Sequence, residues 1–428
     1  MKKIGQYPLC DFPELQKQLL GVSKSFEHTM LLDSHNYPDP YGKYEILAAF
    51  GAHRLLNVEQ NAFEHWANFY NEKTTWLFGH LSYDLKNDIE QLTSDHPKRF
   101  DFAQLSFFEP KHLLLQRRTS TFLEYWSNED VEGIDTLISL EDSSPPINDQ
   151  NENQWSARQS KKQYIDAVNA LKEEIRYGII YEINYCQEFY QKERKLDPQA
   201  LAEGLSSASP MPFGGYYRNG NDHLICASPE RFLCKRGNKV IAQPIKGTAK
   251  RDLNKDEEKN KKSLKNNLKE QTENVMIVDL MRNDLSKTAA RGSVKVEELF
   301  GVYSFPQVYQ LISTVSSELA EDKYFHELIK GAFPMGSMTG APKISAMKLS
   351  EKYERFRREL YSGSIGYLEP NGDFDFNVVI RSILYSSKSL YLSLAVGGAI
   401  TDMADAEKEY EECLIKAETI LNMQLRKQ

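Results

Sequence analysis

Residues 244–248 read PIKGT and set Lys246 between the apolar pair Pro244-Ile245 and the turn pair Gly247-Thr248. A strand lysine is usually a solvated side chain, but an amine held out of water and stripped of its proton is a nucleophile. Upstream, ICASPERFL places Glu230 between a proline turn and an apolar strand, where burial would raise a carboxyl and suit it to general-acid work. Two helical stretches carry paired acids: Glu270 and Glu273 in LKEQTENVMIVDLM, and Glu409 and Glu412, with Lys416, in EKEYEECLIKAETIL. Acids on helices are most often solvated. These lie beside strongly apolar runs, and if the two pairs converge, the buried like charges need a cation. Oxygen-only ligands indicate Mg²⁺, which takes one or two carboxylates and leaves positions for water and substrate oxygens. Such a metal lets an acidic protein hold an anion.

Weaker signals accompany these. MGSMTGAPKISAM, residues 335–347, puts small residues ahead of a helix opening near Pro342, a start whose free N–H groups suit an anion. It lacks the GxxxxGK[ST] pattern of a nucleotide-binding loop. Gly397-Gly398 fall inside a strand, where glycine marks close approach of backbone or ligand. Arg381, in the apolar run VVIRSIL, needs an anionic partner if buried, and a structural ion pair explains it equally well.

The elements that must position these residues follow from periodicity. KKQYIDAVNALKEEIRYG spaces Tyr164, Val168, Leu171 and Ile175 as a helix closed by Gly178. YEINYCQEFY alternates as a half-buried strand, with Tyr181, Ile183, Tyr185 and Phe189 on one side. NGND and RGNK mark hairpin turns between strand runs in 213–248. One long helix is expected over roughly 255–282 and another over roughly 404–424, the latter burying Tyr410, Leu414, Ala417 and Leu421. Residues 141–156, with Pro145-Pro146 and no periodicity, suit a linker. Many hairpin strands with a few long helices predict an α+β or layered α/β architecture with mostly antiparallel sheets.

Composition narrows the function. The net charge of −8 over 428 residues gives no basic face for nucleic acid, and the lysines of 250–269 are interleaved with acids as on a solvated helix. Cys10, Cys186, Cys226, Cys234 and Cys413 form neither a disulfide framework nor a CxxC site. The opening MKKIGQYPLCDF has no apolar core of a signal peptide, and no apolar run reaches the length of a membrane span. A cytoplasmic protein without a membrane or nucleic-acid partner is the expectation.

The ordered series ASPERFL, PIKGT, TENVMIVDLMRNDL, MTGAPK, YSGSIGYL, FNVVIRSI, GGAITD and EYEECLIKA resembles the chorismate-utilising family of anthranilate, aminodeoxychorismate, isochorismate and salicylate synthases. LLDS at 31–34 and GHLSYDL at 79–85 resemble the amino-terminal part of the first two members. The resemblance implies a fold of antiparallel sheets packed as a sandwich flanked by helices. It implies an amino-terminal region over 1–150 and a chorismate-binding catalytic domain over 158–424. Anthranilate synthases usually read PIAGT where this chain reads PIKGT, the form of aminodeoxychorismate synthases.

On that resemblance Lys246 attacks C2 of chorismate as the C4 hydroxyl departs, protonated by Glu230. Ammonia then adds at C4 and expels the lysine, leaving 4-amino-4-deoxychorismate with its enolpyruvyl group, for 4-aminobenzoate and folate synthesis. The amine must be neutral to attack, so burial or nearby cations are expected to depress its pKa. The resemblance further implies Mg²⁺ on Glu273, Glu409 and Glu412, with Glu270 behind these ligands or as an alternate to one of them. Tyr361, Arg381 and backbone near Gly397 and Gly398 would hold the enolpyruvyl carboxylate. Lys416, Thr248 and the segment Thr339, Gly340, Ala341 and Lys343 would line the anion pocket. The chain shows no amidotransferase cysteine motif, so a separate glutaminase subunit is the expected ammonia source, and tryptophan is a candidate ligand near LLDS.

Three positions depart from relatives. Glu182 stands where isochorismate and salicylate synthases carry a water-activating lysine, which argues against water as nucleophile. Gln310 replaces a histidine thought to assist pyruvate elimination, and Ile179 replaces a common acidic residue. The alternatives are anthranilate synthase component I, which aminates C2 and loses pyruvate, and a non-catalytic chorismate- or tryptophan-binding regulator.

Overall fold

A computed structural model describes residues 1–423 apart from 13, 143–153, 252–255 and 306–307. Most of the linker expected at 141–156 therefore lies outside the described residues. The strands join one hydrogen-bonded network, and every pairing among the described residues is antiparallel, as the alternating runs predict. One run of strands passes from Leu105–Arg117 through Tyr44–Val58, His28–Asp33, Phe213–Asn219, Asp222–Ser228, Ser382–Ser386 and Tyr391–Ile400 to Glu182–Gln191. A second run leaves the same first strand through Leu77–Leu81, Ser364–Leu368, Phe374–Asn377, Arg231–Arg236 and Lys239–Gln243 to Val308–Glu318, which also pairs with Ile245–Lys250.

The two-residue period of a strand sorts side chains between two apolar cores. Met30, Leu47, Tyr217 and Leu224 face one core, which also receives Phe78, Leu233, Phe376 and Val315 from the second run. Their neighbours Leu31, Ala48, Tyr216 and Ile225 face the other, covered by Val168 and Leu171, Leu201 and Leu205, and Ala417 and Ile420 of three helices. The first run is thus buried on both faces. Glu182–Gln191 follows this rule, so it is not half-buried as expected: Ile183, Tyr185 and Phe189 enter one core and Cys186 the other, while Tyr181 lies outside the strand and is exposed.

The helix at Lys161–Arg176 has the expected extent, opened by a Ser160–Gln163 capping box and followed by Gly178 at φ +76°. The long helix expected over 255–282 is two, Glu257–Lys265 and Leu268–Ser286. Asn267 breaks it, because its side chain accepts from the N–H groups of Lys269 and Glu270 and caps a new helix. The last helix, Ala406–Leu421, is rotated from the expected face: Glu409, Cys413, Ala417 and Ile420 are buried, and Leu414 is 37% exposed. Its inward stripe therefore starts with a carboxylate.

Gly340 shows how tightly the segments near the lysine strand are fitted. It pairs with Ile183 at φ +146°, and a Cβ there would lie 2.2 Å from the Glu182 carbonyl oxygen. Gly340→Ala is expected to lower unfolding free energy by about 1–3 kcal/mol through backbone displacement and strain. Urea denaturation measures it, and an unchanged midpoint would contradict the close fit.

Candidate functional site

Lys246 lies on Ile245–Lys250 with its side chain about nine-tenths buried, so it is not a solvated strand lysine. Its Nζ donates to Glu182 Oε1 at 3.0 Å. Burial alone would lower this amine, but Glu182, Glu273 and Glu230 outweigh it and raise the pKa above the ordinary lysine value. The expected depression is therefore not what the resting site provides. Carboxylates rather than cations surround the amine, and it is held as ammonium. The other Glu182 oxygen, Oε2, is buried with no hydrogen-bond partner among the described residues.

Glu230 sits between the strands Asp222–Ser228 and Arg231–Arg236, not within one. Its backbone is pinned at both groups, the N–H donating to Ser228 Oγ at 3.2 Å and the carbonyl accepting from Val378 N at 3.0 Å. Burial pushes its carboxyl up to about 7, against the opposing pull of Ser337, Lys246, the Ile245 backbone and Arg381. Next in sequence, buried Arg231 is gripped by Asp375 and Asp39, which fixes the strand start. Arg381 lies in a break before Ser382–Ser386 at φ +50°, not inside a strand. Burial lowers its pKa to about 10, partly offset by Glu230, and its guanidinium makes no hydrogen bond or ion pair among the described residues. A half-buried guanidinium without a partner among the described residues favours an anion beside it.

The two pairs of helix acids converge. Lys269, one residue before Glu270, reaches Glu409 Oε1 at 3.1 Å and Glu273 Oε1 at 3.7 Å. Burial raises Glu273 to about 7 and also raises Glu270 and Glu409, whereas Lys416 holds Glu412 below its usual range. Glu270 stands beside the lysine strand, since a Cβ on Gly247, at φ +89°, would lie 3.0 Å from Glu270 Oε2. Buried like charges do have a cation, and it is a lysine that sequence reasoning missed. Its signal was its place one residue before an acid of the pair. No three acidic, His or Cys side chains stand gathered as a metal ligand set among the described residues. The donor chemistry still fits a hard cation: the oxygens are carboxylates, and Glu273 Oε1 is buried without a hydrogen bond.

Lys416 joins this cluster, donating to Gly397 O at 2.9 Å and pairing with Glu412 at 2.8 Å. Gly398 admits it: a methyl there would lie 3.3 Å from Glu409 Oε2 and 4.0 Å from Lys416 Nζ. Tyr361 is buried with its hydroxyl 3.7 Å from Cys186 Sγ, and a Cβ on Gly397 would lie 2.5 Å from that same sulfur. Other expected pocket residues have structural partners instead. Thr339 Oγ1 donates to Met335 and Gly336 carbonyls, and Gly340 and Ala341 pair with Ile183 and Glu182. Lys343 donates to Asp284 Oδ2 at 2.5 Å and to Ala332 O. Through Gly340 and Ala341 the segment braces the Glu182 strand. Thr248 stands opposite Gln310 in register, and Gln310 is buried with Oε1 unpartnered; Ile179 is exposed.

The site thus sets an amine among carboxylates, with a carboxyl near neutrality and a half-buried guanidinium in the same region. The family model for chorismate binding enzymes matches residues 25–422. This chain belongs to that family. Aminodeoxychorismate synthase component 1 of Escherichia coli is 35% identical over 308 residues, 72% of this chain and 66% of that protein. Anthranilate synthase component 1 of Thermus thermophilus is 32% identical over 363 residues, 81% of this chain and 76% of its own length. The match thus spans just under two thirds of the E. coli relative's length, and 59% of a second aminodeoxychorismate synthase component 1, from Salmonella typhimurium. The menaquinone-specific isochorismate synthase of E. coli shares the fold, with a TM-score of 0.79 at 17% identity over 99% of this chain and 94% of that one.

This chorismate-binding family member has a further cleft over the LLDS segment, away from Lys246. Ser34, Lys43, Glu45, Arg118 and Phe213 line it. A second groove shares Asp39, Phe213 and Arg231 with that cleft and reaches Ile245, beside Lys246.

The raised Glu230 carboxyl has a consequence for stability. With about 7 in the folded chain against 4.5 for an ordinary glutamate, the folded state binds this proton more tightly, so stability declines as pH rises from 4.5 through 7. Glu230→Gln removes a charge that is buried at a cost above that range. It is expected to be more stable than wild type by about 1–3 kcal/mol at pH 8 and to lose the advantage near pH 5. Urea denaturation at the two pH values measures this, and an equal difference at both would contradict it.

Proposed function

We propose that the chain aminates chorismate at C4, giving 4-amino-4-deoxychorismate for 4-aminobenzoate and folate synthesis, with ammonia drawn from glutamine by a partner glutaminase subunit. The single observation that carries the choice is Lys246, its side chain about nine-tenths buried and its amine 3.0 Å from Glu182. A lysine at this point would occupy the space that an ammonia attacking C2 needs, which weighs against the anthranilate reading. The names of the E. coli and Salmonella relatives point the same way.

In this reading Lys246 forms a bond to C2 of chorismate while the C4–O bond breaks, and Glu230 gives its proton to the departing hydroxyl. A carboxyl near 7 is divided between its two forms at neutral pH, which suits an acid that must donate and recover a proton. Arg381, half-buried and without a partner among the described residues, supplies the positive charge for a substrate carboxylate, with Tyr361 and the backbone at Gly397 and Gly398. Ammonia then bonds to C4 and the C2–N bond to Lys246 breaks.

Glu273 and Glu409, with Glu412 and Glu270 at the rim, would hold Mg²⁺ once Lys269 withdraws. The metal supplies positive charge against the ring carboxylate of chorismate. Lys416, fixed on Gly397 O, stands beside that carboxylate position. The cleft over LLDS, with Ser34 and Arg118, is a fitting place for tryptophan, and a cytoplasmic location suits a soluble metabolite as substrate.

Purified chain given chorismate, Mg²⁺ and an ammonium salt at mildly alkaline pH tests the proposal by product mass and absorbance. The expected product is aminated and keeps its enolpyruvyl group, and Lys246→Ala forms it about 100-fold more slowly or worse. Anthranilate plus pyruvate from the wild type would overturn the reading. Binding of chorismate or tryptophan with no turnover would favour a regulatory subunit.

A further inference from the structure

Lys246 cannot attack as it rests. An ammonium has no lone pair, and the carboxylates around this one hold its proton in place. A proton acceptor is required, and the surroundings offer three. Glu230 must be protonated when the C4 hydroxyl leaves, so it cannot also be the acceptor at that moment. Glu273 is paired with Lys269 at 3.7 Å and makes no hydrogen bond to Lys246 among the described residues. Glu182 remains: its Oε1 is 3.0 Å from Lys246 Nζ, its side chain is 2% exposed, and its Oε2 is buried without a partner.

The fold holds Glu182 rigidly. Ala341 pairs with Glu182 from one side, and the next residue, Ile183, is paired with both Gly340 and Ile400. Proton transfer within the pair turns two buried ions into two neutral groups, which lowers the cost of keeping both out of water when substrate displaces solvent.

We infer that Glu182 is a catalytic residue of the proposed amination, taking a proton from Lys246 before attack and returning it as the lysine departs. The inference rests on the reading of Lys246 as the nucleophile. The steps balance. Lys246 passes one proton to Glu182, and the free amine bonds to C2 as C4–O breaks. Glu230 protonates the hydroxyl, which leaves as water, and is itself reprotonated by the new C2 ammonium. Ammonia then bonds to C4, the C2–N bond breaks, and its electron pair takes the proton held by Glu182. The C4 ammonium gives up one proton to restore the Lys246 ammonium beside the Glu182 carboxylate, and the product leaves as the amine.

The test omits ammonia, so that the lysine adduct accumulates, and follows intact-protein mass for a gain of chorismate less water. Wild type, Glu182→Gln and Glu182→Asp are compared, with chorismate affinity from calorimetry and thermal melting for each. The expected result is adduct formation about 100-fold slower in Glu182→Gln, at a chorismate Kd within about threefold of wild type, and recovery of about tenfold or more in Glu182→Asp. Adduct formation in Glu182→Gln at the wild-type rate or faster would overturn the inference and leave Lys246 as nucleophile. Equal loss in both variants with equally weakened chorismate binding would overturn it in favour of a purely structural pair. Aminated product from a wild type that never gains the adduct mass would overturn the nucleophile reading itself, and this inference with it.

Discussion

The Lys246–Glu182 pair, 3.0 Å apart and shielded from water, sets the terms for everything around it. A buried ion pair recovers its lost hydration only when its geometry is good and the neighbouring charges are arranged to help. Here they are arranged in excess on the acidic side, with Glu230 and Glu273 adding to Glu182, so the amine is held as ammonium. The same burial that makes the lysine expensive raises Glu230 and Glu273 to about 7. Exclusion of water thus brings two carboxyls near neutrality, while the carboxylates around Lys246 outweigh its effect on the amine.

Keeping so many ions together requires walls that charged side chains can approach closely, and small residues provide them. Gly397 and Gly398 let Cys186, Glu409 and Lys416 come up against the strand, and Gly247 does the same for Glu270. The rotation of the last helix belongs to this arrangement. Its buried stripe runs Glu409, Cys413, Ala417 and Ile420, so the helix packs by its apolar turns while its first turn delivers a carboxylate. Lys269 then acts as the internal counter-cation between Glu409 and Glu273, and Lys343 balances Asp284 farther along the same helix. Both lysines neutralise acids that the core would otherwise reject.

How much of this was legible in the sequence depended on the range of the interaction. Local signals read well: Gly178 closed its helix, NGND and RGNK gave hairpins, and the i, i+3 acids announced a charged helix face. The antiparallel sandwich was readable from alternation and from the family motifs. Asn267 was harder, because a capping side chain inside a polar, lysine-rich run leaves the helical period almost intact. The partner of Lys246 was out of reach, since Glu182 lies 64 residues away on a strand that does not pair with the lysine strand. Glu182 drew notice as a departure from relatives, but its hydrogen bond had no local trace. Arg381 read as a strand residue because its neighbours are apolar; the left-handed φ that turns it toward Glu230 is a tertiary demand. The sign of the lysine shift failed for the same reason: burial can be guessed from a motif, but the charges that meet there cannot.

The account turns on Lys246 being held as ammonium by its carboxylates, and the ionisation of that one amine tests it most directly. Heteronuclear NMR of labelled lysine side chains, with the Lys246 resonance assigned from Lys246→Ala, follows its titration. The account predicts a midpoint above that of the exposed lysines in the same spectrum, falling when Glu182 is replaced by Gln. A midpoint below the exposed lysines would contradict it, because burial would then outweigh the carboxylates and the amine would already be free at rest.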